Sequence, residues 1–200
     1  MLEQNGPPRR FVYISTTGVY GDCGGDWVSE TRPRQPQTDR AWRRAAAEQQ
    51  LEIWSERQGL ELVILRVPGI YGPGRLPTAR LERGEPVLHE NESPWSNRIH
   101  IDDLADAVVI AGTRDGASGI YNVSDGRPTT MTDYFNRVAD ICGLPRPPQI
   151  SREQAEQQLS VNMLAFLNES RRIDNTRLLR ELKIQLQYPD LDSGLASCSK

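Results

Sequence analysis

Long apolar runs, metal-ligand spacings and an excess of basic charge are all missing from this 200-residue chain. No window approaches the roughly 18 uninterrupted apolar residues of a membrane span. The opening Met-Leu-Glu-Gln-Asn has no signal-peptide core, so a membrane partner is not expected. The 24 basic and 27 acidic side chains leave a net charge of −3, which provides no general basic field for nucleic acid. Cysteine is scarce. Cys23, Cys142 and Cys198 are odd in number, widely spaced and without a metal-ligand pattern. Cys23 in a glycine-rich loop and Cys142 at a helix end read as reduced thiols, which points to a cytoplasmic setting and to no metal. The Asn-x-Ser patterns at Asn91, Asn122 and Asn168 carry no meaning in such a setting. Aromatics are few at 6%, yet the 37% apolar share and 16 glycines suffice for the core of one domain or one and a half. Disorder is expected only in the polar tail after Leu195.

What is present starts at residue 11. Phe11, Val12, Tyr13 and Ile14 form an apolar, β-branched run that passes directly into Ser15, Thr16, Thr17, Gly18 and Gly21. Such a run reads as a buried parallel strand, and open α/β folds bind ligands just past the carboxyl ends of such strands. Residues 21–37 read as loop, and residues 38–58 as a helix capped by Thr38 or Asp39 and stopped by Gly59. Trp42, Ala46, Ile53 and Trp54 fall on one stripe of that helix, suited to packing on a sheet. Residues 60–67 form a second strand, which makes a right-handed βαβ unit with parallel strands.

Beyond Pro68 the pattern shortens. A short helix is expected at 78–83, an extended segment at 97–101, and a helix opened by Asp102 and Asp103 that turns Leu104, Ala107, Val108 and Ala111 inward. A strand follows at 120–123, then a Thr130-x-x-Asp133 cap for a helix ending at Gly143. Ser151 with Gln154 forms another capping box, and residues 174–182 give the last clear helix. Gly72-x-Gly74 is no phosphate loop, because Pro77 stands where a third glycine is needed and Pro73 lacks an N–H.

The segment Ser15-Thr16-Thr17-Gly18-Val19-Tyr20-Gly21 resembles the strand of the extended short-chain dehydrogenase/reductase superfamily, the NAD-dependent epimerases and dehydratases. Arg66-Val67-Pro68-Gly69-Ile70-Tyr71-Gly72-Pro73-Gly74 is similar to a second segment of that family, and Arg98-Ile99-His100-Ile101-Asp102-Asp103-Leu104-Ala105 to a third. Tyr121-Asn122-Val123 matches a later strand and serves as a fold marker. The resemblance implies an α/β fold with the C-terminal half of a Rossmann-like parallel sheet over residues 1–72. It implies a smaller mixed substrate-binding lobe over 73–195, with returning Rossmann elements near 99–123, and a tail at 196–200. It implies Thr16 as the catalytic hydroxyl and Thr17 and Arg98 as substrate contacts, with Arg98 on the diphosphate of a nucleotide sugar. Ser15, Arg44, Pro68, Gly69 and Ile70 would line an NAD or NADP site, and His100 is read as structural.

Two departures stand against that frame. The family's Tyr-x-x-x-Lys pair falls on Arg40 and Arg44, and an arginine cannot act as general base near neutral pH. Tyr20 and Tyr71 are replacement candidates that the sequence does not rank. Thr17 and Gly18 stand where sugar-nucleotide dehydratases carry Asp-Glu, which argues against a dehydratase of that kind. No glycine-rich dinucleotide fingerprint occurs between a strand and a helix, so the chain is expected to be the truncated, C-terminal two-thirds of a longer protein. Its first strand would then have an unpaired edge, which favours self-association. Two functions remain open: an oxidoreductase or epimerase acting on a small-molecule substrate of nucleotide-sugar type, and a non-catalytic dinucleotide-binding sensor or scaffold. An inactive truncated product is the third reading for the chain as it stands.

Overall fold

The computed structural model of the chain describes residues 8–198, and residues 1–7, the start of the Rossmann-like part expected over 1–72, lie outside them. β1 (Arg10–Thr16) runs into a 3-10 turn (Thr17–Tyr20), followed by β2 (Trp27–Val28), α1 (Asp39–Gln58), β3 (Glu61–Val67), β4 (Gly69–Tyr71) and α2 (Thr78–Glu82). Next come β5 (Val87–Leu88), β6 (Trp95–Ser96), β7 (Arg98–His100), α3 (Ile101–Thr113), β8 (Gly119–Asn122), β9 (Thr129–Thr130) and α4 (Met131–Cys142). β10 (Gln149–Ile150), α5 (Arg152–Gln158), α6 (Val161–Leu167), β11 (Arg172–Ile173), α7 (Thr176–Glu181) and α8 (Leu191–Ala196) follow. The main sheet is parallel with strand order β1-β3-β8, Thr16 standing opposite Val67 and Arg66 opposite Asn122. Four two-stranded pairs surround it, of which only β6–β9 is antiparallel. Among the described residues no helix is long and apolar enough to cross a membrane.

Alternation along the strands sorts the two faces of the sheet. Val63, Leu65 and Val67 of β3 pack with Leu104, Ala107 and Ala111 of α3 and with Leu178 of α7 in the main apolar cluster. The opposite face looks onto α1: Phe11 meets Trp54 edge-on at 5.7 Å, Tyr13 meets Arg44, and Ser15 and Arg66 meet Glu48. The expected apolar stripe of α1 is therefore corrected. Trp42, Ala46 and Ile53 are exposed, and the buried positions are Ala41, Glu48 and Ser55, spaced two turns apart. A carboxylate, not an aromatic, holds the centre of this helix against the sheet. β1 itself is only half-buried, with Ile14 exposed at the sheet edge.

Caps fall largely where the sequence places them. Thr38 Oγ1 accepts from Ala41 N–H, Gly59 closes α1 in the left-handed region, Thr130 caps α4, and Ser151 with Gln154 forms the capping box. α3 differs. The His100 ring, through Nδ1, accepts from Asp102 N–H, whereas Asp103 is buried and receives the N–H groups of Gln187 and Tyr188 at 2.7 and 3.1 Å. Asp103 thus anchors the C-terminal segment instead of capping a helix. α8 is an additional helix with Leu191 and Leu195 buried against α4 residues; of the tail expected at 196–200, Ala196 closes this helix, Ser197 meets His100 Nε2 at 3.1 Å, and residues 199–200 lie outside the described residues. The composition of the segment after Leu195 hides the contact that His100 offers Ser197.

Glu48 is fully buried and bonds Ser15 Oγ (2.5 Å), Arg66 Nη2 (2.7 Å) and Arg34 Nη1 (3.2 Å). Removing it leaves the equally buried Arg66 unpaired, so Glu48→Ala is expected to lower stability by roughly 3–5 kcal/mol. Glu52→Ala, which loses only the part-exposed Arg34 contact, is expected to cost under about 1 kcal/mol. Urea unfolding of the two variants against the parent chain measures the difference.

Candidate functional site

A cavity of about 760 Å³ opens past the carboxyl ends of β1 and β3. Thr16, Thr17 and Gly18 form its floor beside the first turn of α1, which adds Thr38, Arg40 and Ala41. Pro68, Gly69 and Ile70 lead from β3 into β4, and Arg98 enters from β7. The expected residues Thr16, Thr17, Arg40, Pro68, Gly69, Ile70 and Arg98 are thereby brought to one cavity.

Ser15 and Arg44 are not among its lining residues. Alternation turns Ser15 away from Thr16, so its hydroxyl donates to Glu48 in the core. Arg44 lies along the exposed edge of β1, where its guanidinium donates to Tyr13 Oη at 3.1 Å and to Ile14 O at 3.5 Å. The replacement tyrosines also lie elsewhere. Tyr20 is buried beneath the Arg66 guanidinium and donates to Asn122 Oδ1 at 2.7 Å. Tyr71 is fully buried against α8, its hydroxyl reaching Asp190 O at 3.3 Å. Burial pushes both phenols above their ordinary value. Neither lines the cavity.

Arg98 is closely held by its neighbours. Its guanidinium lies 4.0 Å from the centroid of the Tyr134 ring and donates to Asn97 O at 2.7 Å. On its other side is Gly69, where an added Cβ would sit 3.1 Å from Arg98 Cδ and Nη1. Glycine is needed there for the close approach of the arginine. Burial pushes Arg98 below its ordinary value while Tyr134 and Asp125 pull the other way, and an arginine keeps its proton under such conditions. Burial likewise raises the Tyr134 phenol, partly offset by Arg98. Asp125 donates its backbone N–H to Arg98 O at 3.0 Å, and its Oδ2 is buried without a hydrogen-bond partner. Burial lifts this carboxyl to about 7.

Sequence reasoning did not single out Tyr134, Arg75, Trp95 or Arg171, which also line the cavity. Tyr134 stands in the first turn of a helix whose cap was legible, but nothing in its spacing says which neighbour its ring meets. Arg171 has a weak signal as the first of two adjacent arginines, the second of which opens β11, and it is closed onto Glu169 at 2.8 Å. Among the described residues no group of His, Cys, Asp and Glu side chains is suited to hold a metal, and the three cysteines are free thiols.

A family model described as "NAD dependent epimerase/dehydratase family" matches residues 1–124. Over 182 residues the chain is 29% identical to Protein YeeZ of Escherichia coli strain K12, covering 90% of this chain and 59% of that protein. A structure of a functionally unknown conserved protein from Silicibacter pomeroyi DSS superposes with a TM-score of 0.84 at 36% identity, covering 95% of this chain and 66% of the other. MoeE5, solved in complex with UDP-glucose and NAD, gives a TM-score of 0.76 at 24% identity over 99% of this chain and 66% of its own, a likeness that shows the fold alone. The chain spans 59% and 66% of the length of the first two relatives.

The raised Asp125 carboxyl sets a pH dependence. An ordinary aspartate ionises near 3.9 in the unfolded chain, so the native state holds this proton longer. The stability it confers is whole below the unfolded value and is lost as pH rises toward about 7. Asp125→Asn is therefore expected to gain stability over the parent at about pH 8 relative to about pH 5, read from urea midpoints at the two pH values. An unchanged difference counts against it.

Proposed function

We propose that this chain, which belongs to the NAD dependent epimerase/dehydratase family, binds the sugar-bearing end of a nucleotide sugar and serves NAD(P)-dependent oxidoreduction or epimerisation at that sugar. The observation that supports this reading is the meeting of Thr16, the Pro68–Ile70 backbone and Arg98 in one cavity at the end of a parallel sheet. Thr16 Oγ1 accepts from Gly18 N–H at 3.1 Å, which leaves the hydroxyl proton to donate to a substrate oxygen. The Arg98 guanidinium, held flat between Gly69 and Tyr134, is a planar donor suited to phosphate oxygens. An ordinary phenol already keeps its proton at neutral pH and burial raises Tyr134 further, so its hydroxyl is suited to donate to the ligand and not to act as a base.

The described residues fit a nicotinamide dinucleotide in part. The hydroxyl floor and the Pro68–Ile70 backbone suit its nicotinamide end, where the cofactor would supply hydride exchange when bound. No described strand leads through a glycine-rich turn into a helix that would receive its pyrophosphate. A second reading, binding without turnover, is favoured by one observation: the cavity carries Arg40, which cannot accept a proton.

Calorimetric titration with UDP-glucose is expected to show binding that Arg98→Ala weakens about tenfold or more. Thr16→Val is expected to keep affinity and lower turnover with added NAD(P) by roughly a hundredfold. Binding with no nicotinamide reduction and no epimer formed supports the second reading. No binding of the nucleotide sugar overturns both.

A further inference from the structure

The cavity is lined by more positive charge than its own carboxylates balance. Arg40, Arg75, Arg98 and Arg171 all face it, and Glu169 is the acidic residue that lines it. Glu169 is closed onto Arg171. Arg98 has no ion pair among the described residues, and its packing against Tyr134 and Gly69 fixes its direction. Arg40 and Arg75 are exposed side chains with no hydrogen bond or ion pair among the described residues. Arg40, Arg75 and Arg98 thus make no ion pair among the described residues, the buried Asp125 carboxyl acting on Arg98 only at longer range.

The diphosphate of a nucleotide sugar, esterified at both ends, brings about two negative charges, one per phosphate. That answers two of the three. Arg40 stands apart in its setting, because it lines the cavity from α1 together with the hydroxyl residues Thr16, Thr17 and Thr38. Hydroxyls accept hydrogen bonds from a guanidinium but do not neutralise it. A solvated surface charge would explain Arg43 equally well, but Arg43 does not line the cavity and Arg44 is engaged by Tyr13. Of the three arginines of α1's first turns, Arg40, Arg43 and Arg44, Arg40 alone lines the cavity among the described residues.

We infer that Arg40 is a specificity-determining residue that reads an anionic group, of carboxylate type, on the sugar part of the ligand. The inference rests on the nucleotide-sugar reading above and deepens it. A planar guanidinium pairs with a carboxylate through two parallel hydrogen bonds, a geometry that a hydroxymethyl group cannot supply.

UDP-glucuronate and UDP-glucose differ by one carboxylate in place of a hydroxymethyl group, which makes them a matched pair of probes. Calorimetric titration of the 200-residue chain is expected to give about tenfold or tighter binding of UDP-glucuronate over UDP-glucose. Arg40→Gln is expected to bring that ratio close to one, whatever it does to the affinity for UDP-glucose alone. Arg43→Gln, which removes the same charge from the next turn, is expected to leave the ratio unchanged. Arg40 is exposed in the first turn of α1, and circular dichroism on both variants checks the fold. A parent ratio near one overturns the inference and leaves the nucleotide-sugar reading standing. A high ratio that survives Arg40→Gln also overturns it, since another group then reads the carboxylate. If neither nucleotide sugar binds, both readings fall together.

Discussion

The carboxylate of Glu48 joins four parts of the molecule that are distant in sequence. It receives hydrogen bonds from Ser15 in β1, Arg66 in β3 and Arg34 in the loop before α1, and it is itself carried by α1. Two buried charges of opposite sign at that depth fix position more than they add stability, because desolvation cancels much of their attraction. The ring of Tyr20 lies 4.7 Å from the Arg66 guanidinium, and the Tyr20 hydroxyl passes the network on to Asn122 in β8. Asn122 Nδ2 then donates to Val28 O and Asp174 O. The central sheet and the outlying β2–β11 pair are thereby held in one hydrogen-bonded frame.

The cavity inherits its shape from this frame. Pinning Ser15 onto Glu48 sends the next side chain, Thr16, to the other face of the strand and leaves it at the cavity floor. Pinning Arg66 sets where β3 ends, and with it the Pro68–Ile70 turn that passes under Arg98. Asn97 performs a similar service on the far side, donating to Arg171 O and accepting from Ile173 N–H. The cationic side chains of the site therefore stand on backbone that buried polar groups have already positioned.

Much of this frame was legible beforehand, for definite physical reasons. The helix over 38–58 announces itself through a capping threonine and a terminal glycine, and the βαβ order dictates parallel pairing whatever the side chains do. The meeting of Thr16, Pro68 and Arg98 was implied by the family resemblance of their segments, and Arg44, implied with them, does not line the cavity. Ser15 could have been excluded by the strand's period of two alone. Trp42 and Ile53 misled because hydrophobicity was taken to define the buried face of α1, and a buried ion pair reverses that rule. Asp103 misled because a carboxylate at a helix start looks like a cap until its partners, 84 and 85 residues away, are known.

By itself the sequence determined the local elements, the parallel order of the strands and the absence of a proton acceptor at position 40. Those depend on backbone dihedrals, chain connectivity and side-chain chemistry, all of which are written residue by residue. Tertiary structure alone decided that Arg98 lies between a glycine and a tyrosine, that Asp125 is buried beside it, and that Arg40 shares a cavity with Thr16 while Arg44 does not. Those are matters of which distant groups come within a few ångströms. Burial, and the electrostatics that follow from it, exists only once the chain has closed on itself.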